Sequence, residues 1–490
     1  MRTNHSQQLQ LGELDIANIK INPRSRDDIP QLLRGLQYLY SDPKLREAIF
    51  LILEKLTPST VSTLHGRPGM MWWKILVMGS LRLNLNCDYD RLQELVNHHR
   101  IIRQMLGHGL CDDDKEYSLQ TLKDNVQLFT PEILDEINQV VVDAGLKLKK
   151  KDTLMGRCDS FVVETNVHYP TDINLLFDAM RKTIALTSDY ASMNSLNGWR
   201  QSKFNIRQVK MAYRAAQQIK RSTSKNETKK QQREAAIIQT HRNYIELSKK
   251  FIQKSQQTLT AKVSSNNLSR VAKALEIQDF IQHAQRQIEQ IERRVINDEK
   301  IPHAEKVFSL FQPHTEWINK GKAGVPVELG LRVCILESQQ GYILHHRVMQ
   351  KETDNQIAID LIKETQRRYP ALKGCSFDKG FHSPNNPIEL AKKLEDLVLP
   401  KKGCCNKKEK ERESSDAFRT SKRKHSAVES GINALEVHGL DKCLDHGING
   451  FKRYVGLAII ARNIQKLGAE LLKETRKQEK RKRDRDKFAA

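Results

Sequence analysis

Arg157-Cys158-Asp159-Ser160-Phe161-Val162-Val163 sets a single carboxylate inside a short run rich in β-branched and aromatic residues. Such a run predicts a strand. A carboxylate inside a strand is costly to bury unless something cationic meets it, so Asp159 must pair with a neighbour such as Arg157 or Arg332, or hold a metal ion. Four further runs have the same character: Val327 to Leu336, Tyr342 to Val348, Gly374 to Phe377 and Asp396 to Leu399. Between the third and fourth strands, Asn355 to Tyr369 reads as a helix on the spacing of Ile357, Ile359, Leu361 and Ile362. One strand, two more, a helix, a strand, a helix and a last strand make an α/β pattern.

A long helical segment interrupts that pattern after its first strand. From Thr171 to Ile301 there is no proline and a single glycine, Gly198, which predicts long helices. Ile277, Ile281, Ala284, Ile288, Ile291 and Val295 step by four and three, and Ile238, Ile245 and Ile252 recur every seven residues. Two amphipathic helices paired as an antiparallel hairpin follow, with the turn near Ser264 to Asn267. The first 150 residues are helical too, on Leu32, Leu33, Leu36 and Leu39 and on Met71 to Leu83, with breaks at Gly66-Arg67-Pro68-Gly69 and at Asn84 to Asp90. Their Trp72, Trp73, Lys74, Arg82, Arg91, Arg100 and Arg103 suit either a helix-turn-helix-like DNA reader or a plain bundle. The expected organisation is a helical N-terminal DNA-binding domain over 1–150, the first part of a catalytic domain over 151–182, the helical insertion over 183–300, the rest of the catalytic domain over 301–470, and a basic tail over 471–490.

The charge is localised. The 490 residues carry 82 Lys and Arg against 59 Asp and Glu, a net +23. Residues 183–300 hold 22 basic against 10 acidic side chains, +12; residues 401–425 hold 10 against 4, +6; residues 471–490 hold 9 against 4, +5. The remainder is net neutral. Excess charge gathered in three segments predicts surfaces that grip a polyanion, DNA or RNA. No 18-residue apolar run occurs and the mean hydropathy is −0.61, which argues against a membrane span. The opening residues hold no apolar stretch after the first basic residue, which predicts a cytoplasmic protein. Eight cysteines without a C-x-x-C pair support neither a zinc ribbon nor a disulfide scaffold.

Two more carboxylates stand where α/β sites form. Asp378 follows the fourth strand in Phe377-Asp378-Lys379-Gly380-Phe381-His382, at a strand's C-terminal edge. Glu429 lies in a helix whose buried stripe is Val428, Ile432 and Leu435. Carboxylates converging from two neighbouring strands and a helix form a hard oxygen site for Mg²⁺ or Mn²⁺. Two such ions, roughly 3.5–4 Å apart, clamp the attacking and leaving oxygens of a phosphodiester. Taken singly, Asp378 is equally suited to capping a turn, and Glu429 to being an ordinary helix carboxylate. The basic segment Lys401 to His425 leads into the Glu429 helix, so Lys422, Arg423 and Lys424 flank the site and suit phosphate contacts, unless the segment is a disordered loop. Lys452 and Arg453 complete the candidate DNA-binding residues. The tail from Arg476 to Lys487 reads as an unstructured DNA tether.

Cys158 to Asp172, Ser376 to Ser383 and His425 to Leu440 resemble the three acidic motifs of bacterial insertion-sequence DDE transposases, close to the ISNCY group. Gly66-Arg67-Pro68-Gly69 with the following helix resembles the N-terminal region of related elements, and Gly321-Lys322-Ala323 resembles the usual lead into their second strand. The resemblance implies an α/β RNase H-like core, a mixed five-stranded sheet with flanking helices, beside an all-α N-terminal domain and a long helical insertion after the first strand. It implies Asp159, Asp378 and Glu429 as the catalytic, metal-binding triad for Mg²⁺, with Mn²⁺ able to substitute and two ions bound. Double-stranded DNA is the implied partner, both the element's terminal inverted repeats and the target, and the implied assembly is a homodimer or larger, nucleoid-associated in a bacterial cytoplasm. Asn463 matches an asparagine often seen on the helix after the glutamate, and fits equally well as a helix hydrogen-bonder. Some related transposases place tyrosine seven and arginine four residues before the glutamate and lysine seven after it; here those positions are Lys422, His425 and Glu436, which removes the basis for a hairpin intermediate. The competing readings are a structure-specific DNA nuclease on the same fold and a catalytically inert DNA-binding protein.

Overall fold

The computed structural model describes residues 12–57, 69–109, 115–149, 153–260, 268–319 and 326–489. Gly66-Arg67-Pro68, Gly321-Lys322-Ala323 and the turn expected at Ser264 to Asn267 lie outside them. The described chain opens with α1 (Asp28–Ser41), α2 (Pro43–Glu54), α3 (Trp72–Asn84), α4 (Tyr89–His98), α5 (Arg100–Met105), α6 (Leu119–Val126) and α7 (Pro131–Lys147). Most start on a side chain that accepts from the free N–H groups of the first turn: Asp27, Asp42, Asp88, Ser118 and Thr130. Strand β1 (Leu154–Thr165) follows, then α8 (Asp172–Met193), α9 (Ser202–Gln218), α10 (Glu227–Thr260) and α11 (Leu268–Ile291). The remainder is β2 (Glu316–Asn319), β3 (Val327–Ser338), β4 (Ile343–Val348), α12 (Asp354–Arg368), β5 (Leu372–Phe377), α13 (Asn386–Ala391), β6 (Asp396–Val398), α14 (Lys407–Ser414), α15 (Asp416–His425), α16 (Ala427–Leu435), β7 (Lys442–Cys443) and α17 (Gly447–Ala489).

Over the described residues the protein is α/β with a mixed open sheet of seven strands. The order β2-β3-β1-β5-β6 forms the main path, with β4 added to β3 and β7 to β1. All five strands expected from the sequence are present. The two extra ones, β2 of four residues and β7 of two, are too short to stand out by composition. Strand β1 is antiparallel to β3, with Asp159 opposite Ile335, and parallel to β5, with Cys158 opposite Phe377.

Two compact units emerge, one comprising Met1–Asn166 with Glu316–Ala490 and the other Val167–Thr315. The insertion expected over 183–300 falls inside the second. Its core takes Ile245 and Ile252 from α10 and Ile277, Ile281, Ala284, Ile288 and Ile291 from α11, the periodic positions read from sequence. The partnership differs from a two-helix hairpin, because α11 lies mainly along α8. The helical run is also broken before α9, where Ser195 and Gly198 adopt positive φ, and Trp199 is buried with its Nε1 donating to Thr258 Oγ1 at 2.9 Å.

In the first unit α17 runs against α1, α3 and α7. Its crossing with α1 is built on glycine: a Cβ at Gly468 would lie 1.8 Å from the Gln31 carbonyl oxygen, and one at Gly35 2.1 Å from that of Ile464. Asn463 is fully buried and acts as a surrogate strand neighbour: its Oδ1 accepts from Ile343 N at 2.9 Å, and its Nδ2 donates to Ile343 O at 2.9 Å and Asn138 Oδ1 at 2.7 Å. Of the two roles open to it, the structure displays the hydrogen-bonding one. The basic tail is also corrected: from Arg476 onward it continues α17, with its side chains exposed or half-buried up to Asp486. Among the described residues no helix is long and apolar enough to cross a membrane.

Four of the N-terminal aromatic and basic residues, Trp72, Trp73, Arg82 and Arg103, are buried in the fold. Trp73 is buried beside Tyr40 and Phe50 and donates to Met105 O at 3.0 Å. Trp72 and Arg103 are buried, and Arg103 donates to Asn97 O. Arg82, 2% exposed, pairs with Asp445 at 2.7 Å and lies 4.0 Å above the Tyr89 ring. Arg91 and Arg100 are exposed and Lys74 half-buried. Gly468→Val should lower the unfolding free energy by at least about 2 kcal/mol in urea denaturation, because neither helix backbone can retreat from the crossing. Unchanged stability would contradict the close approach of α1 and α17.

Candidate carboxylate site

Asp159 occupies the middle of β1, the central strand of the path β2-β3-β1-β5-β6. Residues alternate across a strand, so its side chain faces away from that of Cys158, whose thiol lies 3.4 Å from Cys334 in the core. Arg157 shares the face of Asp159 but does not neutralise it. Its guanidinium is taken by buried Glu337, directly opposite on β3, at 3.6 Å. Among the described residues Asp159 makes no ion pair with Arg157, Arg332 or any other cation; its Oδ1 accepts only from its neighbour Ser160 N, at 2.7 Å. Burial pushes its carboxyl up to about 6, helped by the negative charges of Asp378, Asp354 and Glu429 and opposed by the Ser160 N–H.

The structure therefore brings Asp378 and Glu429 within electrostatic range of Asp159. The parallel register explains two of the three: Cys158 sits opposite Phe377, so Asp159, the next residue of β1, and Asp378, the first residue beyond β5, come from neighbouring positions on adjacent strands. Asp378 also caps a short turn, its Oδ2 accepting from Gly380 N at 3.4 Å. Glu429 is exposed on α16, a helix held by buried Val428, Ile432 and Leu435 and drawn down by Gly431, where a Cβ would lie 2.7 Å from Glu337 Oε1.

Sequence reading passed over a fourth carboxylate. Asp354 opens α12 immediately after the β4 turn, its Oδ1 buried without a hydrogen-bond partner. From the point where a Gly380 Cβ would stand, Asp354 Oδ2 is 3.2 Å away and Asp378 Oδ2 3.7 Å. Its available signal was position, an acid at a helix start just beyond a strand, flanked by the capping pair Thr353 and Gln356.

Helix α15 brings the basic residues to this region. His425, its last residue, is tied to β5 by a 3.0 Å contact between Nδ1 and Ser376 Oγ, and burial, helped by Arg157, lowers its pKa against the pull of Asp378 and Glu429. Lys422, Arg423 and Lys424 are exposed and make no ion pair among the described residues. The segment expected as a possible loop is thus helical, in α14 and α15. Arg453 differs from its expectation: it pairs with Asp445 at 3.0 Å beside Arg82, so its charge is spent inside the fold, while Lys452 is half-buried.

Among the described residues no three His, Cys, Asp or Glu side chains are arranged to hold a metal ion. The donor chemistry nonetheless suits a hard divalent cation: four carboxylates, oxygen throughout, no compensating ion pair, and one buried oxygen without a partner. Compared with protein-family models, curated proteins and solved structures, the chain gives no match.

The raised carboxyl sets a pH signature. Folded Asp159 holds its proton between about 4 and about 6, where the unfolded chain has lost it, so its contribution to stability falls as pH rises through that window. Asp159→Asn should therefore be more stable than the parent above pH 6, by on the order of 1–2 kcal/mol after allowance for solvent screening, with the difference vanishing near pH 4. Thermal melts at the two pH values check this; an equal gap at both would contradict it.

Proposed function

We propose that the chain is a DNA transposase of the insertion-sequence DDE type that its motifs resemble, built on an RNase H-like core. One observation carries the proposal: Asp159, in mid-strand on β1, has within its electrostatic range Asp378, just past the end of the adjacent parallel strand β5, and Glu429, on a helix over the same sheet, with no cation paired to any of them among the described residues. The mixed sheet, with an antiparallel neighbour on one side of β1 and a parallel one on the other, supports the RNase H-like core, and the separate helical unit that follows β1 supports the expected insertion.

In this reading Asp159, Asp378 and Glu429 would hold Mg²⁺ or Mn²⁺, two ions in all, and these would supply charge neutralisation at the phosphodiester and make water more acidic. The chain's own part is to bind and orient DNA. Lys422, Arg423 and Lys424, free on α15, hold phosphates of the strand to be cut, and Ser376 fixes His425 and with it the end of that helix. Hydrolysis breaks the P–O3′ bond and leaves a 3′-hydroxyl on the element end and a 5′-phosphate on the flanking strand; the hydroxyl then attacks a target phosphodiester, forming a new P–O bond while the target's own 3′-oxygen leaves as a hydroxyl. Joining two element ends calls for at least a homodimer. The inert DNA-binding reading has its own supporting observation, that the carboxylates do not converge into a ready metal site.

Purified protein, Mg²⁺ and a labelled duplex carrying the element's terminal inverted repeat distinguish these readings. The transposase nicks the end and joins it to a second duplex; cutting without joining would indicate a nuclease, and binding without either an inert binder. Asp378→Asn and Glu429→Gln should each reduce cleavage at least ~10²-fold, about 3 kcal/mol of barrier, while duplex binding persists. A variant that cleaves at the parent rate removes its residue from the site.

A further inference from the structure

Helix α9 carries a surface that the carboxylate site does not explain. Lys203, Arg207, Lys210 and Arg214 step by four, three and four, which aligns them along one face. All four are exposed. The helix, SKFNIRQVKMAYRAAQQ, contains no acidic residue, and none of the four enters an ion pair among the described residues. Several other cations of the same unit are answered: Arg181 by Asp178, Lys249 by Glu292, Arg293 by Glu299 and Glu305, Arg294 by Asp172. Four like charges at neighbouring positions repel one another, and a helix surface meant only for solvation interleaves the two signs. The opposite face is fixed in the unit's core by buried Val209 and Ala216, with Ile206, Ala212 and Tyr213 partly buried, so the stripe is presented on a rigid support.

We propose that α9 is a docking surface for the phosphate backbone of duplex DNA. From Lys203 to Arg214 the stripe spans about 16 Å at 1.5 Å per residue, roughly half of the ~34 Å turn of a duplex, so it can follow one strand's phosphates across a groove. Exposed Gln217 and Gln218, on the same side of the helix, add neutral hydrogen-bond donors of the kind that contact phosphate and sugar without reading bases. An anionic membrane fits less well. Its occupant helix needs a broad apolar face to bury among the lipids, and α9 exposes Phe204 and Met211 against four cations.

The proposal rests on the reading of this chain as a DNA-processing protein but uses none of its carboxylate-site residues. The test is duplex binding by the full chain, followed by fluorescence anisotropy from about 50 to 200 mM salt. The variant K203Q/R207Q/K210Q/R214Q should melt like the parent, its replaced side chains being exposed. It should bind a random-sequence duplex at least tenfold more weakly, and the slope of log affinity against log salt should be smaller by about 3. The charge-conserving K203R/K210R should bind like the parent. Equal affinity and slope for parent and quadruple variant would overturn the role of α9 alone. Absence of binding by the parent and by Asp159→Asn would overturn the DNA reading as well. Binding that depends on α9 in a chain that neither nicks nor joins would leave this proposal standing and the transposase reading fallen. Parent affinity for anionic phosphatidylserine vesicles or for single-stranded RNA above that for duplex DNA, lost in the variant, would overturn DNA as the occupant.

Discussion

A carboxylate in the middle of the most enclosed strand of a sheet is the constraint around which the rest of this protein is arranged. Strand β1 has β3 on one side and β5 on the other, so the surroundings of Asp159 are decided by two neighbours at once. From β3 comes Glu337, which takes Arg157 and so leaves Asp159 uncompensated. From the end of β5 comes Asp378, and across the same face come Asp354 and Glu429. Burial above all, with the like charges beside it adding to the effect, costs the ionised form free energy, and the Asp159 carboxyl is pushed up to about 6. A fold maintains such a cost most readily where a cation is to be held, because the repulsion is then relieved by binding.

The sheet is kept in place by helices distant in sequence. Helix α17 reaches Ile343 of β4 through Asn463, and closes on α1 through Gly35 and Gly468. The buried pair of Arg82 and Asp445 joins α3 to the segment before α17, and Arg453 shares the same carboxylate. Removing one partner of such a pair strands a buried charge, so these contacts bind the N-terminal helices and the sheet of the first unit into one body.

The strands and the buried stripes were legible because composition and period report them directly. RCDSFVV names its own conformation, and the isoleucines of α11 name their own face. Period identifies the buried face but not what covers it, which is why the pairing of α11 with α8 was invisible. The break before α9 carried a single glycine as its mark, and the second residue with positive φ there is a serine. Arg82 looked like a DNA contact because its partner, Asp445, is 363 residues away. Asp159, Asp378 and Glu429 were selected through their motifs, whereas Asp354 was one acid among 59 until the fold brought it to Gly380.

The proposed seat for divalent cations at these carboxylates is tested directly by cation binding, which does not rely on turnover. Calorimetric titration of the DNA-free protein with Mn²⁺ should give saturable binding that is weakened at least tenfold in Asp159→Asn and in Asp378→Asn, and unchanged in Lys203→Gln. Equal Mn²⁺ affinity in the parent and both aspartate variants would contradict it and leave the clustered carboxylates without a ligand.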